Sequence, residues 1–151
     1  MRAVIQRVSA ASVEVSGEIV GEIKHGLLVL LAVGNGDSQK EMLLIAKKTV
    51  DMRIFADENG KMNKSLCEVS GGILVISQFT LYGDCKKGRR PYFIGAAPPA
   101  EAERLYEAFC ARLSELGATR VEKGIFGGHM HVSLTNDGPV TIILDSEDLT
   151  I

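Results

Sequence analysis

The sequence predicts a strand-rich α+β fold with two main helices. Three observations predict it. Short apolar runs of period two or of continuous character recur along the chain, each bounded by glycine, asparagine or aspartate. Only two stretches carry the 3.6-residue period of a helix. Those two do not alternate regularly with the strands, which disfavours a doubly wound parallel sheet.

The elements follow in order. Arg2 to Val8 alternates as a first strand. Ser12-Val13-Glu14-Val15 alternates again, and Ser16-Gly17 turns into Glu18–Ile23 as a hairpin. Leu27 to Val33 is wholly apolar, as a strand covered on both faces requires. Gly34 to Ser38 ends it. Asp37 or Ser38 then caps a helix running to about Met52, with Glu41 completing a capping box and Met42, Ile45, Ala46 and Thr49 on one face. Ile54 to Met62 contains the hairpin signal Asp57-Glu58-Asn59-Gly60. Gly71 and Gly72 open a further buried strand, Ile73 to Ile76. Gly83 to Ala97 is the longest irregular stretch. Pro98-Pro99 opens the second helix, whose apolar face is Ala102, Leu105, Phe109, Leu113 and Leu116, with Gly117 as the C-terminal glycine. Thr119 to Glu122 reads as a short strand, and Gly124, Gly127 and Gly128 interrupt it. His129 to Thr135 alternates strictly. Asn136-Asp137-Gly138-Pro139 reads as a turn into a last strand, Val140 to Leu144.

Composition narrows the function classes. A chain of 151 residues with 46% apolar and 24% charged residues reads as one globular domain, 1–151, with a full core. No apolar run reaches membrane-spanning length, and charges interrupt the apolar N-terminus, so neither a membrane span nor a signal peptide is expected. Three cysteines, Cys67, Cys85 and Cys110, form no paired framework, and a reduced, cytoplasmic protein is expected. A formal charge of −2 gives no global field for nucleic acid, so any RNA contact must come from a local patch.

The chemistry-bearing stretch is Gly71 to Asp84. Its buried strand breaks into Ser77, Gln78 and Thr80 around Phe79. Polar groups there either reach solvent or line a pocket, because burying them without partners costs free energy. The run Lys86, Lys87, Arg89, Arg90 follows in a glycine-bearing loop; it is either a solvated loop or a phosphate contact beside that pocket. His129 and His131 stand two apart on a strand, but no third metal ligand stands at a telling spacing, and no metal is expected. There is no nucleophile elbow, phosphate loop or dinucleotide fingerprint. A trans bond is the default for Gly138-Pro139, since only about 5–6% of X-Pro bonds are cis; a tight turn between strands also accommodates the cis form.

Read together, Ser77-Gln78-Phe79-Thr80-Leu81 and Asn136-Asp137-Gly138-Pro139-Val140-Thr141 resemble the two signature motifs of the D-aminoacyl-tRNA deacylase family. The resemblance covers the whole chain, including Met1 to Val8, Gly88-Arg89-Arg90-Pro91 and Met130-His131-Val132-Ser133-Leu134. It implies a layered β-β-α sandwich, with helices on one side of the sheets. It implies hydrolysis of the ester between a D-amino acid and the 3′-terminal adenosine of tRNA, without a cofactor. It also implies a homodimer with the active site at the subunit interface. There a cis Gly138-Pro139 of one subunit would enter the other's pocket and exclude L side chains. Achiral glycine would escape that filter, which makes glycyl-tRNA a second substrate. The matching residues are Ser77, Gln78, Phe79 and Thr80 as the catalytic set, Met130, Asn136, Gly138 and Pro139 on the substrate, and Lys86, Lys87, Arg89 and Arg90 on tRNA.

Two mechanisms fit these residues. Thr80 attacks as a nucleophile, which requires a base that the sequence does not place beside it. Alternatively the ribose 2′-hydroxyl positions water, and the Phe79 and Thr80 N–H groups receive the oxyanion; the missing acid–base pair favours this route. The rival classes are a non-catalytic RNA-binding module and a small-ester hydrolase indifferent to RNA.

Overall fold

The computed structural model describes residues 1–149. In chain order the elements are β1 (Arg2–Val15), β2 (Glu18–Ile23), β3 (Gly26–Ala32), α1 (Gln39–Asp51), β4 (Phe55–Ala56), β5 (Met62–Lys64), β6 (Gly72–Ser77), a 3-10 turn (Phe79–Tyr82), α2 (Pro99–Glu115), β7 (Arg120–Lys123) and β8 (His131–Asp145). The fold is α+β, as the sequence predicts.

Three predicted boundaries differ; the simplest is that β8 begins at His131, so His129 lies before the strand expected to hold both histidines. The strands expected at Arg2–Val8 and Ser12–Val15 are one strand. Residues 2–8 pair with β3, residues 11–15 pair with β2, and β8 runs antiparallel along β1 from Glu14 back to Arg2. Ser9 is the extra residue where Val8 pairs Asn136 but Ala10 pairs Thr135. A bulge there bends β1 without ending it, so its two halves serve different layers. Likewise Asn136–Pro139 does not reverse the chain. It lies inside β8, between Asn136 opposite Val8 and Thr141 opposite Gln6, so residues 137–140 stand out against the single residue Arg7. Turn residues signalled the departure from the ladder; the register with β1 resumes after it, and that is invisible locally.

The main sheet runs β2-β1-β3-β6-β7, with β8 on the other edge of β1. β3, β6 and β7 are parallel. One face, through Ala3, Ile5, Val29, Leu31, Ile73 and Val75, is buried against Ile45 and Ala46 of α1 and Leu105, Tyr106 and Phe109 of α2. The other face closes on itself: Val8, Val13, Ile23, Leu28, Leu74 and Ile76 form a second core. Gly21 permits that closure, because a Cβ there would meet the Lys123 carbonyl oxygen at 2.7 Å and the Leu74 Cδ1 at 3.3 Å. The result is a strand-rich, nearly closed sheet with helices on one side.

Local chemistry sets the helices. Ser38 and Glu41 form the expected capping box at α1. Pro98-Pro99 starts α2, and Gly117 follows it at φ +101°.

Candidate active site

Ser77 is the last residue of β6, opposite Leu31. The Gln78 N–H donates to the Leu31 carbonyl at 2.8 Å, and the chain then winds into the single 3-10 turn. The first N–H groups of such a turn have no partner inside it. Among the described residues the Phe79 and Thr80 N–H groups meet no acceptor, and both residues are exposed. The Gln78 amide donates to Thr80 Oγ1. No acid or base is bonded to that hydroxyl among the described residues. Phe93 meets the Phe79 ring edge-on at 5.1 Å.

The far end of the turn is held by Arg2. Its Nη1 donates to the Leu81 carbonyl at 3.2 Å, its guanidinium carbon sits 4.4 Å from the Tyr82 ring centroid, and its Nε donates to Asp145 Oδ2 at 2.6 Å. Burial pushes the Asp145 carboxyl up, but the hydrogen bond from Arg2, the Glu147 N–H and the Arg2 charge together hold it below the ordinary carboxylate value. Burial, then the charges of Asp37 and Asp145, push the Tyr82 phenol up, so it stays protonated.

The second group of residues lies in the β8 bulge. The Gly138–Pro139 bond is cis, and both residues are exposed. Gly138 has φ +148°, and a Cβ there would meet Val140 N at 2.9 Å and Val140 Cγ2 at 2.8 Å. The Asn136 side chain bonds the Val140 N–H and carbonyl and the Thr141 hydroxyl. Both ends of its amide are therefore engaged with its own strand, and it braces the bulge. Arg7 donates to the Asp137 carbonyl at 2.9 Å and to the Ile54 carbonyl at 2.6 Å.

One chain does not bring the two groups together. The turn is tied to Arg2 and the bulge to Arg7, five residues and about 16 Å apart along β1. Met130 lies across Gly124 beside Ile76, packed on the second core. Lys86, Lys87, Arg89 and Arg90 are exposed on a loop closed by the Asp84–Tyr92 pairing. None of the four makes an ion pair among the described residues. The rings of His129 and His131 are 5.0 Å apart, and the described residues hold no cluster of three metal-ligating side chains. Sequence reasoning missed Arg2, Arg7, Tyr82, Phe93 and Asp145. Their roles arise from tertiary contacts, those of Arg2, Arg7 and Asp145 across most of the chain, and no local pattern carries them.

The family model described as D-Tyr-tRNA(Tyr) deacylase matches residues 4–145. The chain belongs to this deacylase family. Proteins called D-aminoacyl-tRNA deacylase are similar to it throughout: that of Desulfatibacillum aliphaticivorans is 59% identical over 97% of this chain and 100% of its own. That of Thermosipho africanus is 56% identical over 97% and 98%. Among solved structures, a c-Myc DNA unwinding element binding protein superposes with a TM-score of 0.91 at 41% identity, covering 96% of this chain and 98% of its own. A probable eukaryotic D-amino acid tRNA deacylase shares the fold, with a TM-score of 0.83 at 18% identity over 95% and 97%. No helix of the described residues is long and apolar enough to cross a membrane.

Proposed function

We propose that this member of the deacylase family hydrolyses the ester joining a D-amino acid to the terminal adenosine of tRNA. The observation that carries the reading is the pair of exposed N–H groups at Phe79 and Thr80, which meet no acceptor among the described residues. Ester hydrolysis develops negative charge on the carbonyl oxygen, and two fixed donors receive it. Among the described residues no base stands on the Thr80 hydroxyl, so the attacking water is positioned by the substrate's own 2′-hydroxyl, and the chain supplies orientation and oxyanion binding.

The working form is a homodimer. The turn and the bulge are held at positions far apart on one chain, and Val4, Leu30 and Ile143 stand together on one sheet face, with Ile143 73% exposed. A second copy across that face would cover it and set the partner's Gly138–Pro139 bulge against this chain's turn. Carbonyl groups of the bulge then bind the α-amino group, and the rigid backbone leaves no room for an L side chain. Glycine has none, which makes glycyl-tRNA a second substrate. The Lys86–Arg90 loop contacts tRNA phosphates, and no cofactor is used.

Matched hydrolysis assays of D-tyrosyl-tRNA and L-tyrosyl-tRNA, with chelator present, test this. Loss of the D-ester alone is expected. Equal loss of both would remove the chiral role of the bulge. Binding of tRNA without loss of either ester would leave a binding module. Loss of simple amino-acid esters as fast as tRNA esters would leave a small-ester hydrolase.

A further inference from the structure

We infer that Arg2 is a positioning residue for this hydrolysis, a clamp that aims the Phe79 and Thr80 N–H donors from the opposite end of their turn. The inference rests on the deacylase reading above. The turn has four residues and a length of about 8 Å at a rise of 2.0 Å per residue. A displacement at Leu81 therefore tilts the N–H vectors at Phe79 and Thr80 with little to absorb it. At the near end the turn is fixed by the bond from Gln78 N–H to the Leu31 carbonyl. At the far end Arg2 holds it twice, through the Leu81 carbonyl and the Tyr82 ring. Asp145 fixes the guanidinium in turn through Nε.

These three partners need a guanidinium rather than a positive charge. Asp145 and Leu81 lie where different nitrogens of one planar fork reach them, and the Tyr82 ring takes the cation on its face. A lysine would keep a favourable charge at the C-terminal end of the turn, but one ammonium cannot hold the three directions. Misplacing a catalytic group by about 1 Å costs on the order of a hundredfold in rate. The clamp therefore acts on the chemical step. It touches neither the basic loop nor the β8 bulge, so tRNA affinity and chirality are left alone.

The test compares Arg2→Lys, Arg2→Met, Asp145→Asn and the Arg2→Met/Asp145→Asn double variant, each assayed with D-tyrosyl-tRNA and melted. Expected is a fall in kcat of about tenfold or more for Arg2→Lys, with KM within about twofold and a near-native Tm. Arg2→Met falls further, Asp145→Asn falls less, and the double variant is no slower than Arg2→Met, because Asp145 acts through Arg2. Full kcat in Arg2→Lys overturns the clamp, as does a loss confined to KM, or a double variant that shows the product of the two single losses. If Arg2→Met fails to fold, Arg2→Lys and Asp145→Asn decide. A wild-type protein without turnover sinks the deacylase reading and the clamp with it; an active wild type with an equally active Arg2→Lys sinks the clamp alone.

Discussion

The Asn136 side chain closes on Val140 from both sides: the Val140 N–H donates to Oδ1 at 2.7 Å, and Nδ2 donates to the Val140 carbonyl at 3.1 Å. This mimics one rung of a strand ladder inside β8 and ejects the intervening Asp137, Gly138 and Pro139. Each such bond contributes about 0.5–1.5 kcal/mol net. Asn136→Ala is expected to cost roughly 1–3 kcal/mol by urea unfolding. It is also expected to reduce the preference for the D-ester over the L-ester by about tenfold or more. Asn136→Asp keeps the acceptor but sets a carboxylate against the Val140 carbonyl, so it falls between. Full discrimination in Asn136→Ala would show that the bulge is held without this brace.

Acid should loosen the molecule through its hydrogen-bonded carboxylates, among which Asp145 and Glu41 are not fully exposed. Asp145 is held below its ordinary 3.8 despite burial, and Glu41 below 4.5, first by the Ser38 hydroxyl and then by the Ser38 N–H. The sign follows from proton uptake: the unfolded chain takes up these protons at a higher pH than the native chain does. The stabilisation is therefore complete above the ordinary carboxylate values, and is lost as pH falls through the lowered native ones. The urea midpoint should therefore drop as pH falls below the ordinary values of 4.5 and 3.8. Asp145→Asn and Glu41→Gln should each flatten that profile, and an unchanged slope in both would remove these groups as its source.

Much of this was legible in the sequence for a physical reason. Ile73–Ile76 and Leu27–Val33 are continuous apolar runs because both faces of β6 and β3 are covered, and Ser38/Glu41 is a local cap. The motif Ser77–Thr80 was visible as polar groups breaking a buried strand. The 3-10 turn was not, because four residues carry no period. The continuity of β1 and β8 was hidden too. Ser9 and Asn136–Pro139 look like breaks locally, and only the pairing of the two strands carries each across its bulge. Arg2 meets Asp145 across 143 residues, a pairing that only the tertiary structure creates.

The basic loop makes a prediction that separates RNA binding from chemistry. Lys86, Lys87, Arg89 and Arg90 are exposed and unpaired among the described residues, on the segment that leaves the candidate turn. Removing one cation that neutralises a phosphate should reduce the slope of log kcat/KM against log salt by about 0.7–0.9. Replacing all four by alanine should raise KM for D-tyrosyl-tRNA steeply, leave kcat within about twofold, and leave hydrolysis of a D-aminoacyl-adenosine untouched. Loss of activity on the small substrate would place the loop in the reaction itself.

Thr80 decides the mechanism. Its hydroxyl accepts from the Gln78 amide, a neutral donor that orients the oxygen but takes no proton from it. An activated nucleophile needs a base within hydrogen-bond reach, and none is bonded to Thr80 among the described residues. The backbone N–H, by contrast, survives replacement of the side chain by alanine. Thr80→Ala should therefore lower kcat by about tenfold to a hundredfold, through a turn that has lost its Gln78 bond. A substrate ending in 2′-deoxyadenosine should lose far more, because the water then has no positioned hydroxyl beside it. The two losses measured in one series are decisive. A fall of about four orders of magnitude in folded Thr80→Ala, with the deoxy substrate still turned over by the wild type, would make Thr80 the nucleophile. A trapped threonyl ester would be its intermediate.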